Sequence, residues 1–185
     1  KNGTVKGFNL GILFLGSSNN TIEDIVCTEN TTHGILISAS DFNMVNRLTS
    51  TYNRQFGIYV SCSKNNTIIN SESSNNIANG MQLISGVGVW TSENNKILYS
   101  QFNNNGGSIV INAYSTLIES CTISGNNDWG ITINGIPQAD RLLLIGAADQ
   151  SHLLVGFGVQ DGGRVASFHY LHQSLACAHR MRASA

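Results

Sequence analysis

The segment GIYVSCSKNNTIINSESSNN, from Gly57 to Asn76, nearly repeats the sequence that stands before it in the chain. Twenty-three residues upstream the chain reads GILISASDFNMVNRLTSTYN, from Gly34 to Asn53, and a third copy begins at Gly11 with GILFLGSSNNTIEDIVCTEN. Downstream the pattern resumes at Gly80 and, after an insertion of about six residues, continues to residue 134. A fixed period of 20 to 50 residues indicates a repeat architecture.

Each repeat contains short runs in which apolar and polar residues alternate. The first run follows the glycine, and its apolar members are Ile12 and Phe14, Ile35 and Ile37, Ile58 and Val60, Met81 and Leu83, Ile109 and Ile111, and Ile131 and Ile133. A period of two predicts a strand with one buried face, and runs of three or four residues are too short for helices. A second and a third run in each repeat predict two more strands.

Three short strands in about 23 residues, with no helix between them, favour a chain that winds as a coil. Each strand then pairs in parallel with its copy in the next coil, about 4.8 Å away, and equivalent residues form ladders along the stack. Asparagine gives the clearest ladder, eight residues after the anchor of the second strand: Asn30, Asn53, Asn76, Asn105 and Asn126. Stacked side-chain amides hydrogen-bond to one another along such an axis.

The units GILISAS, GIYVSCSKNNTI, SESSNN and NGTVKGF resemble the right-handed parallel β-helix repeats of the pectin-lyase-like superfamily, and most closely its NosD-like carbohydrate-binding and sugar-hydrolase branch. The resemblance covers about residues 1–135. It implies an all-β fold, a right-handed parallel β-helix (solenoid) of about six coils with three short strands per coil. Since that superfamily includes lyases, hydrolases, epimerases, adhesins and tailspikes, the fold alone does not indicate a function.

The composition changes abruptly after Ile136. Asn and Lys are absent from the last segment, whereas four of the five His and eight of the eleven Ala lie there. We therefore divide the chain into a β-helix domain, residues 1–135, and a segment 136–185 that is either a C-terminal cap or a non-native tail. Apolar residues spaced by three or four predict an amphipathic helix able to cover the open end of the stack: Val165, Phe168, Leu171, Leu175, Ala178 and Met181.

The composition also argues against several partners and cofactors. Charged residues make up 11% of the chain and the net charge is −1, so no basic field attracts nucleic acid or an anionic membrane. No apolar run is long enough to insert into a membrane. The His and Cys residues between positions 169 and 179 lack the spacing of the usual zinc pairs, so we predict no metal and no cofactor. The cysteines fall at different phases of the repeat, which predicts separate thiols: Cys27, Cys62, Cys121 and Cys177.

The outward face of the first strands lacks the residues that polysaccharide cleavage needs. Its positions are Leu13, Leu36, Tyr59, Gln82, Val110 and Thr132, followed by Leu15, Ser38, Ser61, Ile84, Asn112 and Asn134. The resemblance implies that an active site would lie on this face or along a neighbouring edge. Glycoside hydrolysis requires a carboxylate pair, and uronate lyases require a base with a cation or Ca²⁺. None of these positions is acidic or basic, so the sequence favours binding over catalysis in these coils.

Aromatic residues on the same face are the candidates for ligand binding. His33, Phe56 and Trp129 precede the first strand of their repeats, and Tyr59 lies beside Phe56. Aromatic rings stack on the apolar faces of sugars, and a ladder places them at regular heights. The alternative for Phe56 and Trp129 is that they fold over the turn and shield the core.

The fourth repeat carries the insertion SGVGVWTSE, Ser85 to Glu93. Loops that project from a repeat scaffold often form the wall of a binding site, and an exposed Trp90 would serve there. The alternative is a neutral insertion of the kind that solenoids tolerate.

We predict a non-catalytic polysaccharide-binding module of an extracellular, periplasmic or cell-surface protein, with polysaccharide as its partner. The predicted binding residues are His33, Phe56, Tyr59, Gln82, Trp90 and Trp129. One alternative is a polysaccharide lyase or glycoside hydrolase, for which Asp128 and Glu119 are the first acids to test. Another is a structural stalk or adhesin repeat. The sequence does not predict the oligomeric state.

Overall fold

The computed structural model describes residues 2–134 and, as backbone strands, residues 143–145, 154–158 and 166–169. In these residues the chain forms a β-solenoid of about six coils, built from two long sheets, with strands numbered β1 to β18 along the chain. The part of the chain that the structure describes contains no helix. The predicted all-β, parallel β-helix fold is therefore confirmed.

Sheet 1 contains the first strand of each coil. Its members are β2 (Ile12–Leu15), β4 (Ile35–Ser38), β6 (Ile58–Ser61), β9 (Asn79–Ile84), β12 (Gly107–Asn112), β15 (Ile131–Asn134), β17 (Leu154–Gly158) and β18 (Ala166–His169). From β2 to β17 neighbouring strands pair in parallel, and equivalent residues of the repeats face each other. Tyr59, for example, pairs with Leu36 on one side and Gln82 on the other.

Sheet 2 contains the second and third strands of each coil. Its members are β1 (Gly3–Lys6), β3 (Thr21–Thr28), β5 (Met44–Thr51), β7 (Thr67–Ile69), β8 (Glu72–Ser74), β10 (Lys96–Leu98), β11 (Gln101–Asn103), β13 (Leu117–Glu119), β14 (Thr122–Ser124) and β16 (Leu143–Ile145). In β3 and β5 the second and third runs form one strand of eight residues, whereas later coils divide them into two strands of three. The long strands thus connect the ladder of second strands to the ladder of third strands in this sheet.

The core lies between the sheets and consists of the inward residues of all three runs. Ile35 and Ile37, for example, are fully buried, as are Ile58 and Val60 one coil further on. Burying such a side chain contributes about 1.5 to 3 kcal/mol, so every coil adds a similar increment of stability. The apolar alternation of the repeat therefore produces one continuous core.

Two asparagine ladders run along the stack inside its corners. The predicted ladder is present: Asn53 Nδ2 donates to Asn76 Oδ1 at 2.9 Å, and Asn76 Nδ2 donates to Asn105 Oδ1 at 3.0 Å. A second ladder, which our sequence analysis did not identify, has the same bonds at another corner through Asn20, Asn43, Asn66 and Asn95. Each ladder oxygen also accepts the backbone N–H of the preceding Asn, so these buried polar groups are satisfied.

The chain turns at each corner through a residue with positive φ. One such corner precedes the second asparagine ladder and contains Asn19 (φ 61°), Phe42 (φ 57°), Asn65 (φ 56°) and Asn94 (φ 54°). Asn tolerates this left-handed conformation better than other residues that carry a side chain, which accounts for part of the high Asn content.

Strand pairing continues beyond residue 134. β16 pairs in parallel with β13, β17 pairs in parallel with β15, and β18 pairs antiparallel with β17. The predicted helix is wrong over Ala166–His169, where a strand supplies hydrogen-bond partners to the edge of β17. The remaining positions of that predicted helix, and the choice between a native cap and a non-native tail, lie outside the described residues.

Candidate functional site

The outer face of sheet 1 is an uncharged strip along the stack. The register places Leu13, Leu36, Tyr59, Gln82, Val110 and Thr132 in one outward column, as the sequence predicted. The N-terminal end of this column is apolar, and Leu13 at this end is exposed. From Gln82 onward the column contains the polar residues Gln82 and Thr132, with the apolar Val110 between them.

Three predicted binding residues form one aromatic cluster, made of Tyr59 from this column and of His33 and Phe56 beside it. The rings of His33 and Phe56 stack with centroids 5.0 Å apart and an angle of 4° between their planes. Tyr59 packs edge-on against both rings, at 5.1 Å from His33 and 5.3 Å from Phe56. The stack therefore covers one face of the His33 ring and one face of the Phe56 ring.

A long backbone hydrogen bond favours the neutral form of His33. The backbone N–H of Phe56 donates to His33 Nδ1 at 3.4 Å, and only an unprotonated nitrogen accepts such a bond. Burial lowers the pKa of His33 from its ordinary value because the charged imidazolium loses hydration.

Trp129 lies on the same side of the strip, three coils above Phe56. Equivalent positions in the intervening coils are Asn79 and Gly107, which pair with each other in the sheet. Three steps of the stack correspond to about 14 Å. Trp129 is 44% exposed, so it is more exposed than any single residue of the cluster.

Gly107, in the same column between Asn79 and Trp129, is buried beneath the Asn79 side chain. A Cβ atom on Gly107 would overlap Asn79 Oδ1 and would lie 3.9 Å from the Cβ of Asp128. The Asn79 amide therefore occupies the space that a side chain on Gly107 would need. Our sequence analysis did not include Asn79 or Gly107, although both stand in the column of His33 and Phe56.

Trp90 lies at the opposite edge of sheet 1, in the inserted loop. It is 61% exposed and borders a shallow cavity of about 190 Å³ with Cys62 and Lys64. Cys62, beside this cavity, follows Phe56 of the aromatic cluster by six residues. An extended chain of six residues spans roughly 20 Å, so Trp90 is remote from the cluster. The structure thus brings His33, Phe56, Tyr59 and Gln82 together and places Trp90 and Trp129 apart from them.

Two acidic residues of sheet 2, Glu23 and Asp24, form surface ion pairs with Arg47. The Arg47 guanidinium contacts the Asp24 carboxylate at 2.5 Å and the Glu23 carboxylate at 2.6 Å. Asp24 and Arg47 thus form an ion pair across neighbouring coils. These interactions raise the pKa of Arg47 above its ordinary value, but exposed pairs of this kind add little stability.

Three structural findings bear on other classes of site. Within the described residues no group of three or more His, Cys, Asp or Glu side chains is arranged to hold a metal. No helix in the described residues has the length and apolarity needed to cross a membrane. The cysteines in this part of the chain, Cys27, Cys62 and Cys121, are free thiols.

Comparison with known proteins supports the fold. The family described as "Right handed beta helix region" matches residues 1–138. Two solved structures are similar: the periplasmic alginate epimerase AlgG, at 17% identity and TM-score 0.60, and the A-module of the Azotobacter vinelandii mannuronan C-5 epimerase AlgE6, at 16% identity and TM-score 0.56. The matches cover 83% and 84% of this chain but only 43% and 51% of those structures. No curated protein matches the chain.

Proposed function

We propose that this chain, which belongs to the right-handed β-helix family, binds polysaccharide on the outer face of sheet 1 without cleaving it. The observation that carries this proposal is an uncharged strip bordered on one side by the aromatic cluster of His33, Phe56 and Tyr59 and by the exposed Trp129. Sugars present both apolar ring faces and hydroxyl groups, which match aromatic rings and the Gln82 amide.

The two similar structures are, by their names, enzymes that act on the polysaccharide alginate. This supports a carbohydrate ligand and a location outside the cytoplasm, because one of the two is periplasmic. Assignment to the NosD-like branch of the superfamily stays a prediction.

The described part of the face favours binding over catalysis. Hydrolysis of a glycosidic bond uses two carboxylates on opposite sides of the bond. Asp128 is the one acid beside the aromatic side of the strip among the described residues, and Glu119 lies on β13 of sheet 2. The two acids that the sequence suggested for an enzyme therefore belong to different sheets.

Affinity electrophoresis against a panel of polysaccharides tests this proposal. We expect one or more polymers to retard the chain, and Trp129→Ala to weaken that retardation. Met44→Ala is the matched control, since Met44 is exposed to the same extent (45%) but lies on sheet 2. Free migration in every gel, or equal loss in both variants with circular dichroism unchanged, would contradict the proposal.

A further inference from the structure

The electrostatic character of the strip indicates which polysaccharides it accepts. The outward positions of sheet 1, from Leu13 on β2 to Asn134 on β15, include no Asp, Glu, Lys or Arg. A polymer lying on these residues therefore meets no charge of either sign. A uronic acid polymer would place its carboxylates against this surface and lose hydration without gaining ion pairs, which is unfavourable.

The charged residues at the margins do not change this conclusion. On the aromatic side stand Arg54, near Phe56, and Asp128, next to Trp129, and both are exposed. On the opposite side Lys64 Nζ pairs with Glu93 at 3.2 Å, and Asp41 Oδ1 accepts the backbone N–H of Lys64 at 2.7 Å. Two cations thus face three anions, and one cation is already paired. A polyanion would find no basic strip along its length.

The arrangement of the residues also indicates the direction of the ligand. The aromatic cluster and Trp129 lie on one side of the strip, three coils or about 14 Å apart along the stack. Between them lie the Asn79 and Gln82 amides, and the Asn79 amide packs over Gly107. Amides both donate and accept hydrogen bonds, as sugar hydroxyls do.

We propose that the ligand of this face is an uncharged linear polysaccharide that lies along the helix axis, from the aromatic cluster to Trp129. This inference rests on the proposed function and narrows it to one class of polymer. It separates this chain from the two similar epimerases, whose named substrates are polymers of uronic acids. The uncharged surface explains the difference, because contacts to hydroxyl groups and ring faces need no ionic partner.

The test uses affinity electrophoresis of the full chain at low salt with EDTA, in gels that contain either a neutral polymer or a polyuronate. The neutral polymers are xyloglucan, galactomannan and mixed-linkage β-glucan, and the polyuronates are alginate and polygalacturonate. We expect at least one neutral polymer to retard the chain, and added salt should leave this retardation unchanged. We expect no retardation by the polyuronates. Salt-sensitive retardation by a polyuronate alone would overturn the inference and leave the proposed function standing. Retardation by no polymer would overturn both.

A pair of charge variants tests whether the polymer binds on the outer face of sheet 1. Val110→Lys adds a cation in the middle of the strip, and Thr122→Lys makes the same charge change in the same coil but on sheet 2. We expect Val110→Lys to weaken retardation by the neutral polymer several-fold and to create retardation by alginate, with neither change in Thr122→Lys. Equal behaviour of the two variants would show that the ligand does not lie on this face.

Discussion

The hydroxyl oxygen of Ser73 occupies the space in which a side chain on Gly57 would begin. A Cβ atom on Gly57 overlaps Ser73 Oγ and lies 2.9 Å from the carbonyl oxygen of Gly80. The hydroxyl is held in place, since it donates a hydrogen bond of 2.6 Å to that carbonyl. Ser50 has the same relation to Gly34 one coil earlier, which explains why glycine recurs with the period of the repeat.

Gly57→Ala should therefore destabilise the protein. The methyl group must displace both a hydrogen-bonded hydroxyl and a backbone carbonyl, and overpacking of this kind costs about 1 to 3 kcal/mol or more. The measurement is the free energy of unfolding from urea denaturation. Gly3→Ala is the control, because its Cβ would meet only Ile25 Cδ1 at an ordinary 3.5 Å. Equal stability of the two variants would refute this account of the repeat.

Asn76→Ala should interrupt the first asparagine ladder. The Asn76 side chain accepts hydrogen bonds from the backbone and side-chain N–H groups of Asn53, and it donates to Asn105 and to the backbone carbonyl of Ser50. Leaving such buried groups unpaired costs about 1 to 3 kcal/mol each, so we expect a loss of at least 3 kcal/mol in the free energy of unfolding.

Asn112→Ala provides the comparison for Asn76→Ala. Asn112 is an outward residue at the end of β12 and is not part of a ladder. Its replacement should change the free energy of unfolding by less than about 0.5 kcal/mol, as surface substitutions usually do. A loss as large as that of Asn76→Ala would mean that the ladders do not determine stability.

Phe42→Asn should stabilise the protein by about 1 kcal/mol. Phe42 adopts φ 57° at a corner where the neighbouring coils have Asn, and its side chain is 59% exposed. Asn relieves the cost of the left-handed conformation, which is roughly 1 to 2 kcal/mol for a residue with an ordinary side chain. Thermal unfolding checks this, with Met44→Asn in the adjacent strand as the control. A lower melting temperature for Phe42→Asn would contradict the prediction.

The stability of the folded state should decrease as the pH falls below about 6.5, the ordinary pKa of His. Burial lowers the pKa of His33, so in this range the unfolded chain binds a proton that the folded chain does not. Protonation would also remove the acceptor of the Phe56 backbone N–H. The urea midpoint between pH 7.5 and 5.5 should therefore fall more steeply in the wild type than in His33→Gln. Parallel slopes would exclude His33 as the cause.

The cysteines should differ in their reactivity. Burial raises the pKa of Cys27 to about 12 and also raises the pKa of Cys121, whereas Cys62 is partly exposed beside the inserted loop. In a Cys177→Ser background, the native protein should react with an aromatic disulfide reagent at one thiol and the denatured protein at three. Reaction of two or more thiols in the native state would show that the core opens readily.

The repeat pattern predicts most of the fold because this architecture places equivalent residues of successive repeats in contact. In an ordinary domain tertiary contacts join unrelated parts of a chain, but here the partner of Tyr59 is the residue at the same phase one repeat away. The period therefore predicted the strand register, the outward column and one asparagine ladder. We missed the second ladder, although Asn20, Asn43 and Asn66 also recur at intervals of 23 residues.

Several features of the site depend on tertiary geometry that the period does not contain. The sequence placed His33 and Phe56 in one column, but only the structure shows that their rings stack and cover each other, because side-chain torsions decide the ring planes. The path of the inserted loop, which places Trp90 on the far edge of sheet 1, likewise has no counterpart in other coils. Over Ala166–His169 the apolar spacing favoured a helix, whereas the edge of β17 pairs with a strand there. A repeating pattern specifies the contacts that repeat, and each position where the repeat is broken takes its conformation from its own neighbours in space.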